Sequence, residues 1–331
     1  MSFVRTVLGD VDPRDLGIVY AHEHVIIAGG KPVEMSPDFL LDDVDRAVAE
    51  LAGAKALGLG AVVDAMPGGC GRDVGRLAAV SRRAAIHVIA STGVHHERFH
   101  AAGHWSARGA PDELAARFVA EIDTGIDAGD DGDHIVGRTA HRAGVIKAGG
   151  SAELPSERDR RVFTAAAAAQ RETGCPILTH CDGGLRGLEQ VRLLVDAGAD
   201  PGHVILSHVD KIVDRSYHRE LAAAGAILEY DGAFRWPDQP NGTLTLLGWM
   251  SEDGLLDHVV LGLDAARRSY WTAYGGSPGL TFLLDGFDRE MRAIGLDDGD
   301  LRTMLVTNPA RALAFSDPPP GPTASLDRTR P

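Results

Sequence analysis

Two histidines, His22 and His24, flank Glu23 inside an apolar run at positions 16–27. On a strand, residues two apart share a face, so both imidazoles would aim at one point. Two neutral imidazoles aimed at one point make half a metal site. Other apolar runs close on groups of the same kind: Lys147 in 144–148, His180 in 176–180, His208 in 203–208 and Asp264 in 258–264. A single such group reads as an ordinary core residue with a hydrogen-bond partner. Four histidines, a lysine and an aspartate at equivalent places do not, because buried polar groups need partners and buried charges need more. Cations lying between them would satisfy the set. Imidazole and carboxylate suit zinc-like ions, and five such ligands exceed what one catalytic zinc takes, so two divalent ions are expected. As an ammonium, Lys147 would be repelled by them. It fits as a neutral amine, or as the carbamate formed with carbon dioxide, whose two oxygens can bridge ions about 3.5–4 Å apart.

The elements that must position these groups alternate along the chain. Apolar, β-branched runs are read as strands at 18–27, 61–65, 86–91, 144–148, 176–180, 203–208, 226–230 and 258–264. Between them lie segments of helical spacing: 42–59, 72–85, 112–127, 156–173, 188–197, 215–224 and 242–252, with 279–294 and 300–315 at the end. Eight strands, each followed by a helix, predict a (β/α)8 TIM barrel, in which catalytic groups stand at the C-terminal ends of the strands. Strands this apolar need both faces covered, as parallel strands have. A doubly wound open sheet is disfavoured, since no glycine-rich nucleotide loop follows the first strand. One barrel domain is expected over 1–316, with 317–331, containing Pro318, Pro319 and Pro320, as a flexible tail.

The length of 331 residues allows an ample core, and the net charge of −14 argues against nucleic acid or an anionic membrane as partner. The three cysteines, Cys70, Cys175 and Cys181, are odd in number and form no spacing framework. Together with the missing signal-peptide h-region and the absence of any span-length apolar run, they predict a cytoplasmic protein.

With these residues in hand, the chain resembles the phosphotriesterase-related branch of the amidohydrolase superfamily. The matching stretches are 21–24, 144–148, 177–180, 205–210 and 261–264, and the closing segment 307–313 is also similar. The resemblance implies a barrel with a binuclear metal centre, zinc first, with manganese, cobalt or iron as alternatives. It implies that His22, His24 and Asp264 hold the more buried ion and that His180 and His208 hold the more exposed one. Lys147, N6-carboxylated, would bridge both. A hydroxide shared by the ions would attack the substrate, with Asp264 taking up the proton. Members act on small molecules, hydrolysing phosphotriesters, lactones, other esters and some amides, and many are homodimers. The expected activity is hydrolysis of a lactone or carboxylic ester, with phosphotriesterase or amidase as alternatives and a non-catalytic binding barrel as the reading from another class.

The loops after the strands should choose the substrate. Lys211, Arg267 and Arg268 could form an anion pocket together with Tyr270, which would suit a carboxylate or phosphate on the substrate. His95 stands where related lactonases and phosphotriesterases often carry Tyr or Trp, and is expected to line the pocket. His100, His104 and Trp105 follow in a segment read as a lid rather than a third metal site. Cys181 makes a poor nucleophile, because no base is assigned to it. Glu23, between the two histidines, should point away from the ions.

Overall fold

The computed structural model describes residues 2–129, 135–153, 155–236 and 239–316. The expected tail, 317–331, lies outside them. A hairpin the sequence reading did not anticipate comes first: β1 (Val4–Thr6) pairs antiparallel with β2 (Gly9–Val11). Eight strands follow: β3 (Ile18–Glu23), β4 (Leu59–Asp64), β5 (His87–Val94), β6 (Val145–Gly150), β7 (Ile177–Cys181), β8 (Val204–Leu206), β9 (Ile227–Tyr230) and β10 (Val259–Leu261). Each is parallel to its sequence neighbour. The Asp264 N–H donates to the His22 carbonyl at 2.9 Å and brings the end of β10 back to β3. The fold is a (β/α)8 barrel.

Helices α1 (Gly30–Met35), α2 (Val44–Ala56), α3 (Val74–Ala84), α4 (Pro111–Asp123), α5 (Glu157–Thr173), α6 (Gly187–Asp196), α7 (Arg215–Ala223) and α8 (Gly242–Glu252) lie between the strands. Their ends follow local chemistry. Ser156 accepts from the Asp159 N–H, and Asp159 reaches back to the Ser156 N–H at 3.1 Å, closing a capping box on α5. Gly174 then ends the helix at φ +74°, a conformation that costs glycine little.

Two cores result. Val19, Ala21, Val63, Ile89, Val145, Leu178, Ile205, Ile227 and Val260 fill the barrel's interior, and Leu313 and Val4 pack with them. A larger cluster, including Tyr20, Leu51, Leu77, Phe118, Phe163 and Leu246, cements strands to helices. Burying side chains of this kind contributes about 1.5–3 kcal/mol each.

The C-terminal part differs from expectation. Residues 279–286 are turns, and only α9 (Phe287–Ala293) of the expected 279–294 helix forms. The Glu50 carboxylate accepts the Leu280 N–H at 2.9 Å and the Ala273 N–H at 2.7 Å, while Tyr20 Oη donates to the Leu280 carbonyl at 2.9 Å. Side chains from β3 and α2 thus satisfy backbone that a helix would otherwise pair. The 300–315 helix is broken into α10 (Asp298–Arg302), a π-helical turn (Thr303–Thr307) and α11 (Asn308–Ala312). Pro309 lacks an N–H, so the regular ladder cannot run through it.

Candidate metal centre

All six candidate ligands meet at the C-terminal mouth of the barrel, and alternation explains two of them. Lys147 lies two residues past inward Val145, and His180 two past inward Leu178. His22 needs more. Tyr20 faces the helices and Ala21 the interior, so strict alternation would turn His22 outward. The β3–β4 register shifts between Tyr20 and Glu23, and His22 points in. His208 and Asp264 lie beyond their strands in left-handed backbone, φ +68° and +46°. Such values are uncommon outside glycine and collect at functional sites. Asp264 is held in this bend by its neighbours: the Glu23 carboxylate accepts the Leu263 N–H at 2.8 Å and the Ala265 N–H at 3.2 Å. Glu23 therefore aims at the loop backbone on either side of Asp264 rather than at the donor atoms of the candidate ligands.

The donor atoms form two groups. His24 Nε2 lies 3.2 Å from Asp264 Oδ1, and His22 Nε2 lies 3.8 Å from the same oxygen. His22 Nε2 is also 3.3 Å from Lys147 Nζ. In the second group, His208 Nε2 and His180 Nδ1 face each other at 2.9 Å. The outer nitrogens meet carboxylates. His208 Nδ1 is 2.5 Å from Asp231 Oδ2, His22 Nδ1 is 3.5 Å from both Asp231 and Glu229, and His180 Nε2 is 3.5 Å from Asp182. A carboxylate behind an imidazole holds the proton on the outer nitrogen and leaves the inner lone pair for a metal. Burial pushes His22, His180 and His208 below the ordinary histidine range, so the rings stay neutral. Burial also lowers Lys147, against the pull of Asp264, Glu229 and Asp231, to about 8. Burial alone would raise Asp264, but the Arg235 charge and the His24 contact outweigh it and hold the carboxyl well below its usual range. Imidazoles, an ionised carboxylate and a lysine of lowered basicity form a donor set that fits two divalent ions once the lysine is deprotonated or carboxylated.

A cavity of about 210 Å³ opens above this floor. His95, Lys211, Arg267 and Tyr270 line it, with Phe39, Met66, Arg98, Phe99, Arg235 and Ala266. Arg267 lies 3.7 Å from Asp38 and stacks on the Phe39 ring at 4.2 Å. Lys211 is exposed and pairs with no described carboxylate. Arg268 requires a correction. Although adjacent to Arg267, it is not a cavity residue: its guanidinium donates to the Leu40 carbonyl and to Asp42 at 3.1 Å, and it lies over Tyr274. Neighbouring side chains in an irregular loop diverge, and Arg268 ties the loop after β10 to the loop after β3.

The barrel fold matches known proteins. The phosphotriesterase family model matches residues 2–313. The chain belongs to the phosphotriesterase family. It is 33 % identical over 327 residues to a phospho-furanose lactonase of Mycoplasmopsis synoviae, covering 96 % of this chain and 93 % of that protein. The structure of an amidohydrolase from Mycoplasma synoviae superposes with a TM-score of 0.91 at 32 % identity, over 96 % of this chain and 93 % of that one. A lactonase from Listeria monocytogenes gives 0.85 at 26 % identity, over 95 % and 100 %.

Three residues of this phosphotriesterase-family site escaped the sequence reading. Glu229 and Asp231 lie at the end of β9, where an acid–apolar–acid pattern closing a buried strand was the available signal. Arg235 carries no such signal. It donates to the Asp231 carbonyl at 2.8 Å, the Leu263 carbonyl at 2.7 Å and Asp264 Oδ2 at 3.2 Å, so both terminal nitrogens are engaged by the protein. Cys181, buried with its thiol pushed up to about 12, is no nucleophile. His100 and His104 stack face to face at 4.2 Å, which aims their nitrogens past each other rather than at one ion.

Proposed function

We propose that the protein is a metal-dependent hydrolase of a small lactone or carboxylic ester that bears an anionic group. The cavity itself supports this most directly: five candidate metal ligands, His22, His24, His180, His208 and Asp264, floor it beneath a wall that holds Lys211, Arg267 and Tyr270, with Lys147 buried against His22. Its volume lies below the ~300–1,000 Å³ of pockets for drug-sized ligands, which favours a compact acyl compound over a bulky aryl phosphotriester. The net charge of −14 makes a local basic wall the more telling, because general electrostatics would repel an anion. Arg235 is held by protein acceptors and Arg98 by Asp182, which leaves Lys211, and Arg267 with its looser 3.7 Å pairing to Asp38, as the cations best placed to meet substrate. The relative named a phospho-furanose lactonase supports a phosphate as that anion.

His22, His24 and Asp264 would hold one ion, His180 and His208 the other, and Lys147 as its carbamate would join them. Two divalent ions there, zinc first, would supply an activated water and polarise the carbonyl. The chain's residues do the rest. Lys211 and Arg267 grip the anionic end and orient the ester over the floor. Phe39, Met66 and Ala266 keep bulk water from the acyl carbon. Asp264 Oδ1, the oxygen facing the histidines, takes the water's proton as the carbon–oxygen bond forms and returns it to the leaving oxygen. A homodimer and a cytoplasmic location belong to the same proposal. The three buried free cysteines support a reducing compartment, and no described helix is long and apolar enough to cross a membrane.

The test is a substrate panel with metal analysis. The protein should carry about two divalent ions per chain and lose activity to chelator. A phosphorylated furanose lactone should be turned over with kcat/KM at least about tenfold above its unphosphorylated form. Equal rates on both would remove the anion pocket, and a preference for a neutral phosphotriester would favour the phosphotriesterase reading.

A further inference from the structure

His95 follows β5 and lines the cavity beside His180, ring centroids 5.0 Å apart. Its backbone is held on both sides. The N–H donates to His100 Nε2 at 3.1 Å, and the carbonyl accepts from Arg158 Nη2 at 2.8 Å. Phe99 meets the ring edge-on at 4.4 Å. The turn sits directly on β6: a Cβ at Gly149 would lie 2.2 Å from the His96 nitrogen and 2.5 Å from the His95 carbonyl carbon. Only glycine there lets the turn approach so closely.

The side chain is constrained as well. His95 Nδ1 accepts the backbone N–H of His96 at 2.7 Å. A peptide N–H can only donate, so Nδ1 must present its lone pair. The neutral ring then carries its proton on Nε2, the nitrogen away from the backbone. No described residue bonds to Nε2.

We propose that His95 is a fixed hydrogen-bond donor that uses Nε2–H to stabilise the oxyanion developing on the substrate's carbonyl oxygen beside His180. The proposal rests on the ester-hydrolysis reading. As the water oxygen bonds to the acyl carbon, the carbonyl π pair moves onto oxygen. His95 shares its hydrogen with that oxygen without transferring it. When the leaving-group bond breaks, the pair returns to form the carbonyl, and His95 ends unchanged. A donor prepositioned by four separate contacts needs no reorganisation as charge develops, which is where such groups are strongest. An aromatic hydrocarbon side chain at this place would supply shape without a donor.

Two variants of the full-length, metal-loaded protein test this. His95→Phe keeps a ring and removes the donor; His95→Gln restores an N–H at about the reach of Nε2. His95→Phe should lose roughly 10²–10³-fold in kcat with KM within about threefold, and His95→Gln should recover at least about tenfold of that loss. Long-range 1H–15N NMR of the wild-type metal-free protein should give the Nε2–H tautomer for His95, a readout independent of turnover and of whether either variant folds. An Nδ1–H or rapidly exchanging ring, a His95→Phe variant of near wild-type kcat, or a His95→Gln no better than Phe would each overturn the proposal. Wild-type protein that hydrolyses no ester would instead remove the functional reading, and the NMR spectrum would still judge the tautomer.

Discussion

Lys147 should react with carbon dioxide far more readily than an ordinary lysine, and the pH dependence of that reaction is calculable. Burial lowers its pKa to about 8 against 10.5 for an exposed lysine, although Asp264, Glu229 and Asp231 pull upward. Only the free amine attacks carbon dioxide. At pH 7 a group of pKa 8 is about 9 % free amine, and one of 10.5 about 0.03 %, an advantage of roughly 300-fold. The perturbation is to strip the metals with chelator and expose the protein to 13C-labelled carbon dioxide at fixed dissolved concentration. The assay is the rate of appearance of the carbamate carbon by NMR, with Lys147→Met as the blank. That rate should climb about ninefold from pH 6 to 7, about fivefold from 7 to 8, and less than about twofold from 8 to 9, then stay level. A rate still climbing tenfold per unit between pH 8 and 10 would mean an unshifted amine and refute the reasoning. A signal that survives in Lys147→Met would refute the assignment of the residue.

The same shift bears on stability. A lysine whose folded pKa lies below its unfolded value leaves the unfolded chain holding more protons between about pH 8 and 10.5, so the metal-free protein should gain stability as pH rises through that window. Lys147→Met removes the cost at neutral pH, on the order of 1–3 kcal/mol, and should raise the metal-free melting temperature by ~2–6 °C while abolishing two-ion loading. A lower melting temperature would contradict this. Arg267 and Arg268 should separate cleanly despite being neighbours. Arg267→Met should lower kcat/KM for a phosphorylated lactone by ~10–100-fold and leave the unphosphorylated lactone within about threefold. Arg268→Met should leave both rates within about threefold but cost ~1 kcal/mol by calorimetry, because its contacts are to Leu40 and Asp42.

The residue types at the strand ends were legible without coordinates, for a physical reason. A parallel strand buried on both faces admits polar groups only where it emerges, so His180, His208, Lys147 and Asp264 announce themselves by closing apolar runs. The order of strands and helices followed from periodicity, and the caps of α5 from Ser156, Asp159 and Gly174 alone. Local chemistry of that kind is written residue by residue.

Other features depended on groups far apart in sequence. The turn at 279–286 is decided by Glu50 and Tyr20, more than two hundred residues earlier. His22 reaches the site only through a register shift in β3, and His208 and Asp264 only through left-handed bends that the strand pattern before them does not reveal. Arg235 and Glu23, which hold Asp264 in place, act across the barrel seam. Adjacent Arg267 and Arg268 part because one finds Asp38 and Phe39 at the cavity wall and the other finds Leu40 and Asp42 outside it. The barrel and the kinds of chemical group at its rim are written in local burial and periodicity. Which atoms face inward depends on barrel closure, which brings distant residues within hydrogen-bonding range of backbone that would otherwise relax.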